Sequence, residues 1–256
     1  DVIDNKAYVF EGYEKKEIPI PAEFKDQVHE TRQRVIEKLA DYDEEIMELF
    51  LDGKDVDNEK LKKAAREATI KMMITPVFCG SSYKNKGVHL LLDAIVDYLP
   101  SPTDVGAVVG TDIDTPEKTH ARHPSKKDPF AALAFKLIHD PYVGQQTFIR
   151  IYSGELKTGM QVYNSTKDKE ERIGRILRIH ANEREEVDTA GPGDIVALIG
   201  MKYTKTGDTL CDPAQPLHLE NIFIPPSVIE LKVTPPTKKE DEKLGAALRK
   251  IGRASC

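Results

Sequence analysis

The chain has 256 residues, with 37 Lys and Arg against 43 Asp and Glu for a formal charge of −6, so it is not a uniformly basic coat for nucleic acid. Charged residues make up 31% and hydrophobic residues 39%, which allows ordinary cores at this length and excludes global disorder. No run approaches the ~18 apolar residues of a bilayer span, Asp1-Val2-Ile3-Asp4 lacks a basic start and an apolar signal stretch, and Cys79, Cys211 and Cys256 have no CxxC spacing, as expected of a reducing, cytoplasmic setting without membrane contact.

Residues 1–73 read as a helical element with few strand signals. Phe24, Val28, Thr31, Val35 and Leu39 recur at spacings of three and four, which predicts one helix face, with Pro21 near the helix start. A second helix around Glu44 to Leu51 ends in Asp52-Gly53, where glycine tolerates the left-handed exit. A third follows Asp57-Asn58-Glu59, whose acids suit the positive helix end, and shows Leu61, Ala65, Ala68 and Met72 on one face.

Ile74-Thr75-Pro76-Val77-Phe78-Cys79 is a short apolar run that predicts a strand, and Gly80-Ser81-Ser82 breaks it. Val88, Leu91, Leu92, Ile95 and Leu99 then form a broad apolar helix stripe closed by Pro100-Ser101-Pro102. A lone strand and helix cannot cover their own apolar faces, so this unit reads as the last piece of a larger α/β sheet. The segment 101–129, rich in Pro, Gly, Thr, His and charge, is expected to be a linker.

From Phe130 the pattern is β. Strands are predicted at Phe130 to Ile138, Gln146 to Tyr152, Gln161 to Tyr163, Glu171 to His180, Ile195 to Leu198 and Thr209-Leu210, separated by turn clusters such as Ser153-Gly154, Gly191-Pro192-Gly193-Asp194 and Thr206-Gly207-Asp208. Short strands at even spacing predict a small closed barrel. After residue 221 come a strand-like run, Val228 to Val233, and a helix-like one with Leu244, Leu248 and Ile251, which together read as a truncated domain.

Several motifs run through this frame: Ile151-Tyr152-Ser153-Gly154-Glu155-Leu156-Lys157-Thr158-Gly159, the two Gly-Asp turns, Thr75-Pro76-Val77-Phe78-Cys79-Gly80-Ser81-Ser82-Tyr83-Lys84-Asn85-Lys86-Gly87-Val88, and Asp97-Tyr98-Leu99-Pro100-Ser101-Pro102. With Asp140-Pro141-Tyr142-Val143-Gly144 and His180-Ala181-Asn182-Glu183-Arg184-Glu185-Glu186-Val187, they closely resemble bacterial translation elongation factor G, up to about Ile251. The resemblance implies an α/β remnant of a P-loop GTPase domain with a helical insertion, then an all-β translation-factor barrel and a truncated α/β third domain. Residues 1–73 would be the insertion, 74–100 the last strand and helix of the GTP-binding domain, 101–221 the linker and barrel, and 222–256 the cut start of the third domain. The tail Gly252-Arg253-Ala254-Ser255-Cys256 departs from the family, which has an acidic run there.

The resemblance also implies a parent that uses GTP and Mg²⁺ on the ribosome to drive translocation of tRNA and mRNA, acting as a monomer. This stretch lacks the Gly-x-x-x-x-Gly-Lys-Ser/Thr loop that cradles phosphates. Gly53-Lys54 reads as a helix exit, and Asn5-Lys6 and Asn85-Lys86 lack the aspartate of a base-reading Asn-Lys-x-Asp. No catalytic residue, metal ligand or bound cofactor is therefore expected here, and no GTP hydrolysis by this chain alone. What remains is Gly80, Ser81 and Ser82, where the family offers backbone N–H to the guanine carbonyl; Ser82 replaces its usual alanine.

Arg172, Arg175 and Arg178, every third residue, and Arg184 form the candidate contact with ribosomal RNA; the alternative is pairing with Asp168, Glu170, Glu171 and Glu183. Ser81-Ser82-Tyr83-Lys84 spells a Ser-x-x-Lys without the partner motifs of a hydrolase, and His120 and His123 lack a third metal ligand, so both read as ordinary surface features. Two other readings stay open at this point: a related translational GTPase of recycling, release or ribosome-protection type, and a free-standing RNA- or protein-binding module.

Overall fold

The computed structural model describes residues 1–140, 144–220, 222, 228–229, 231–237, 240–245 and 247–248. They fall into two compact units, Asp1–Val105 and Gly106–Cys256. No described helix is long and apolar enough to cross a membrane.

The first unit opens with an antiparallel hairpin of β1 (Ala7–Glu11) and β2 (Glu14–Ile18), which the helical reading of residues 1–73 did not include. Gly12, at φ +60°, takes the first position of the two-residue turn, a hairpin signal in its own right. It was masked by β2, whose Glu14-Lys15-Lys16-Glu17 carries none of the apolar alternation of a strand.

Helix α1 (Lys25–Ala40) follows a 3-10 turn at Ala22–Phe24. Its buried face is Arg32, Ile36, Leu39 and Ala40 rather than the expected Phe24, Val28, Thr31, Val35 and Leu39; Phe24 and Thr31 are exposed. The reason is Arg32, whose guanidinium donates to the carbonyls of Val2, Ile3 and Val56 and to Asn58 Oδ1. A buried charge can define a helix face when its donors are satisfied, and apolar spacing alone does not show this.

Helix α2 (Glu44–Leu51) is capped by Asp43, whose carboxylate accepts from Ile46 N at 3.0 Å, and leaves through Gly53 at φ +67°. Helix α3 (Asn58–Ile70) is capped by Asp57 and buries Leu61, Ala64, Ala65 and Ala68. Leu61, Ala64 and Ala65 share one core with Ile36, Ile46 and Val56. Met72, expected on the α3 face, lies beyond the helix end and is exposed.

The expected strand Ile74–Cys79 is not formed; the run has no ladder partner among the described residues. Strand conformation is held by hydrogen bonds to a neighbour, and none is offered here. Helix α4 (Val88–Tyr98) buries Ala94 and Tyr98, while Leu91, Leu92, Ile95 and Leu99 of the expected stripe stay exposed, as does Val77. A short helix α5 (Pro102–Val105) ends the unit.

The second unit begins inside the expected linker with a hairpin of β3 (Val108–Thr111) and β4 (Thr119–Arg122). Then follow β5 (Ala131–Asp140), β6 (Gly144–Ser153), β7 (Leu156–Lys157), β8 (Gln161–Asn164), β9 (Lys169–Arg172), β10 (Arg175–His180), β11 (Glu183–Val187), β12 (Thr189–Ala190), β13 (Ile195–Ile199) and β14 (Thr209–Cys211). Eight of them make one antiparallel sheet in the order β11-β10-β13-β6-β5-β14-β8-β9, while β7 pairs with β12.

Among the described residues no ladder joins β11 to β9, so the sheet is barrel-like but not closed as expected. The expected strand Glu171 to His180 is interrupted at Ile173-Gly174; β9 ends the sheet order at one side, and β10 lies second from the other. A Cβ on Gly174 would lie 2.5 Å from Ile199 O, so that break needs glycine. Ala132, Ala134, Ile149, Ile151, Val162, Ile176, Leu198 and Leu210 nevertheless converge on one core, which alternation along each strand provides.

Beyond residue 220, Glu240–Gly245 and Ala247-Leu248 are helical, but Val228, Ile229 and residues 231–233 are not in a strand. Pro141-Tyr142-Val143, Ile251 and the tail Gly252 to Cys256 lie outside the described residues.

Candidate nucleotide loop and nucleic-acid interface

Gly80, Ser81 and Ser82 open a tight loop. Ser81 N donates to Lys86 O at 2.9 Å and Lys86 N donates back to Ser81 O at 2.8 Å. Between them Asn85 N reaches Ser82 O at 3.0 Å, and Asn85 adopts φ 52°, a left-handed conformation that asparagine tolerates. A Cβ on Gly80 would stand 2.8 Å from Lys86 O, so only glycine lets the two sides of the loop approach.

The loop therefore spends the Ser81 amide on its own closure. The amides of Gly80 and Ser82 have no acceptor among the described residues, and a backbone donor without a protein acceptor is available to a ligand carbonyl. Gly53-Lys54 is the helix exit expected, with Lys54 N bonded to Leu49 O at 2.9 Å.

The four arginines do not form one cluster. Arg172 ends β9, where its Nε donates to Gly159 O at 3.1 Å. Arg175 and Arg178 are both on β10, but three residues apart along a strand means opposite faces. Arg184 on β11 lies directly across from Ile179, so it shares the Arg175 face. Period three is a helix spacing, and the expectation of one positive surface fails on that geometry.

Three of these arginines are also paired. Arg175 approaches Glu186 at 3.8 Å, Arg178 approaches Glu185 at 3.8 Å and Asp194 at 3.9 Å, and Arg184 bonds Asp140. Their partners are not the Asp168, Glu170, Glu171 and Glu183 named from sequence. Asp168 instead accepts from the Tyr163 hydroxyl at 2.9 Å, which pushes the phenol upward, and Glu170 accepts from Gln161 Nε2 at 2.7 Å.

Glu171 has another role, which sequence reasoning missed. Its buried carboxylate accepts from Lys202 N at 2.6 Å, from Tyr203 N at 3.1 Å and from the Thr204 hydroxyl. Thr204 Oγ1 in turn receives Asn164 Nδ2 at 3.2 Å, and the same amide reaches Asp208 Oδ2 at 3.0 Å. Asp208, also buried, accepts Lys205 N at 2.8 Å. This network clamps the Lys202–Lys205 loop onto β8 and β9. Thr206-Gly207-Asp208 was visible as a turn, but partners more than 30 residues away were not.

His120 Nε2 lies 2.8 Å from Asp112 Oδ2, and His123 Nδ1 lies 3.3 Å from Asp128 Oδ2. Each histidine is thus taken by one carboxylate. Cys211 is buried against Tyr163 O, and burial pushes its thiol upward.

Residues 129–213, spanning β5 through β14, match the family model described as elongation factor G domain 2. Among solved structures, the crystal structure of ttk003000868 from Thermus thermophilus matches the chain over 100% of its length, with a TM-score of 0.79 and 28% sequence identity. The chain spans 36% of the length of that relative. The sheet region is thereby related to a domain of the elongation factor and translational GTPase families.

Proposed function

We propose that this chain is the central part of a translational GTPase of the elongation factor G kind, and that its second unit couples the GTP-binding domain to the ribosome during translocation. The observation that carries this reading is the match of residues 129–213 to elongation factor G domain 2. Support also comes from the first unit, where Val77, Leu92 and Val96 leave apolar surface of the kind that packs against a sheet. On this reading residues 1–73 are the insertion, 74–100 the end of the GTP-binding domain, 101–221 the linker and barrel-like domain, and 222–256 the start of a third domain.

The residues of this chain do not fit a magnesium-bound nucleoside triphosphate. The phosphate-cradling sequence, whose hydroxyl would hold the magnesium, is absent from these residues. Hydrolysis is accordingly assigned to no residue here. The Gly80 and Ser82 amides supply only backbone recognition of a guanine carbonyl, and the sheet unit acts as a stiff body that passes a switch onward.

Two measurements test this. Sedimentation of the 256-residue protein with ribosomes is expected to show salt-sensitive association. Titration with a fluorescent GTP analogue is expected to show no micromolar binding. A protein that stays in the supernatant at low salt, or that binds the analogue at micromolar concentration, contradicts the proposal.

A further inference from the structure

Four exposed lysines of the second unit gather at a different place from the arginines. Lys167 and Lys169 flank the start of β9, and Lys202 and Lys205 bound the loop held by Glu171 and Asp208; all four are exposed. Lys169, Lys202 and Lys205 have no ion-pair partner among the described residues, whereas Lys167 is paired, its ammonium 3.7 Å from Asp208 Oδ1. Tyr203, between the two loop lysines, is 52% exposed.

One polar network fixes all of them. Lys202 and Tyr203 donate their backbone N–H to Glu171, Lys205 donates its own to Asp208, Lys167 N donates to Asn164 Oδ1 at 3.0 Å, and Lys169 pairs with Asn164 across the β8–β9 ladder. The two carboxylates are covered, with Glu171 6% and Asp208 2% exposed, so backbone donors meet their charge from beneath, Asp208 also takes the Lys167 ammonium, and the other three lysines stay exposed. The exposed acid within this set, Asp168, is held by the Tyr163 hydroxyl. Lys169 lies on the Glu171 face of β9, whereas Glu170 and Arg172 lie on the other.

Resting on the ribosomal reading above, we infer that Lys167, Lys169, Lys202 and Lys205, with Tyr203, form the surface that grips ribosomal RNA, in place of Arg175, Arg178 and Arg184. Lysine ammonium groups suit phosphates as mobile point charges. A solvent-facing tyrosine among them offers a ring for an unpaired base. A loop tied down by buried hydrogen bonds presents both without first having to be ordered.

The test uses the whole chain and purified small ribosomal subunits, with affinity measured across a salt series. The variant carrying Lys167→Gln, Lys169→Gln, Lys202→Gln and Lys205→Gln is expected to bind about ten-fold or more weakly at low salt, with a log–log salt slope shallower by about three. The variant carrying Arg175→Gln, Arg178→Gln and Arg184→Gln is expected to bind as the unchanged protein does. Circular dichroism of both variants checks that the fold is intact, and photo-crosslinking from p-benzoylphenylalanine at position 203 is expected to give RNA adducts.

If the arginine variant loses affinity and the lysine variant keeps it, the footprint is wrong while the ribosomal reading stands. Adducts confined to ribosomal protein overturn the assignment to RNA. Absence of any salt-sensitive binding by the unchanged chain overturns the ribosomal reading itself.

Discussion

A Cβ placed on Gly154 would stand 2.5 Å from Phe130 Cα and 2.7 Å from Phe130 N, so the turn after β6 and the start of β5 meet backbone to backbone. Gly154 also adopts φ +74° and donates its N–H to Ser125 O at 2.9 Å. Neither backbone can yield without breaking the β5–β6 pairing that the core rests on. Gly154→Ala is expected to cost about 3 kcal/mol. Gly159, at φ +81°, has only the Arg172 side chain near its missing Cβ, at 3.5 Å, so Gly159→Ala is expected to cost about 1 kcal/mol. Thermal unfolding followed by circular dichroism measures both, and equal losses would show that the contact with Phe130 is not what matters.

The clamp under the Lys202–Lys205 loop gives a second prediction. Glu171→Gln keeps the shape but turns one oxygen into an NH₂ that must face backbone N–H donors; Glu171→Ala removes every acceptor. Losses of about 1–2 and about 3 kcal/mol respectively are expected. Hydrogen exchange at the Lys202 and Tyr203 amides is the direct readout, and it should accelerate in both variants. Unchanged protection would mean the carboxylate does not hold the loop.

How much of this was legible beforehand depends on the range of each interaction. The core strands β5, β6 and β13 were placed to within about two residues, because alternation and glycine turns are local signals. The cap at Asp57 and the exit at Gly53 were legible for the same reason. The role of Arg32 was not, since the carbonyls of Val2 and Val56 that bury it lie 30 and 24 residues away. The split of the arginines was legible in principle, since Glu171 to His180 was itself an expected strand and a strand's alternation puts Arg175 and Arg178 on opposite faces; the ion-pair partners were not. The Gly80 to Ser82 loop was seen as a turn, but the closure by Lys86 that occupies the Ser81 amide needed the fold.

Arg32 carries the third prediction. Its guanidinium ties the N-terminal segment, α1 and the start of α3 together, with Nη2 at 2.8 Å from both Val56 O and Asn58 Oδ1. Arg32→Met keeps most of the buried volume but orphans those acceptors, and a loss of about 2–3 kcal/mol from the first unit is expected. Arg32→Lys should recover little, because one ammonium cannot span the same carbonyls. Limited proteolysis should cut within the first twenty residues sooner in both variants; full rescue by lysine would show that charge, not the fork of donors, is what counts.

The last prediction concerns acid. Asp112 accepts from His120 and from the backbone N–H groups of Asp114 and Thr115, both at 3.0 Å. The hydrogen bond from His120, then those two amides, push its carboxyl down to about 2. The folded group thus titrates below its value in the unfolded chain, about 3.9. Its stabilisation of the β3–β4 hairpin is therefore complete above about pH 4 and lost as the pH falls through about 2. Amide exchange at Asp114 and Thr115, measured relative to core amides of β5 and β6, should rise over that window. In Asp112→Asn the same amides should already exchange faster at neutral pH and show no further step. A step at the same pH in the asparagine variant would assign the acid sensitivity to another group, such as Asp128, which the His123 amide holds below its usual range.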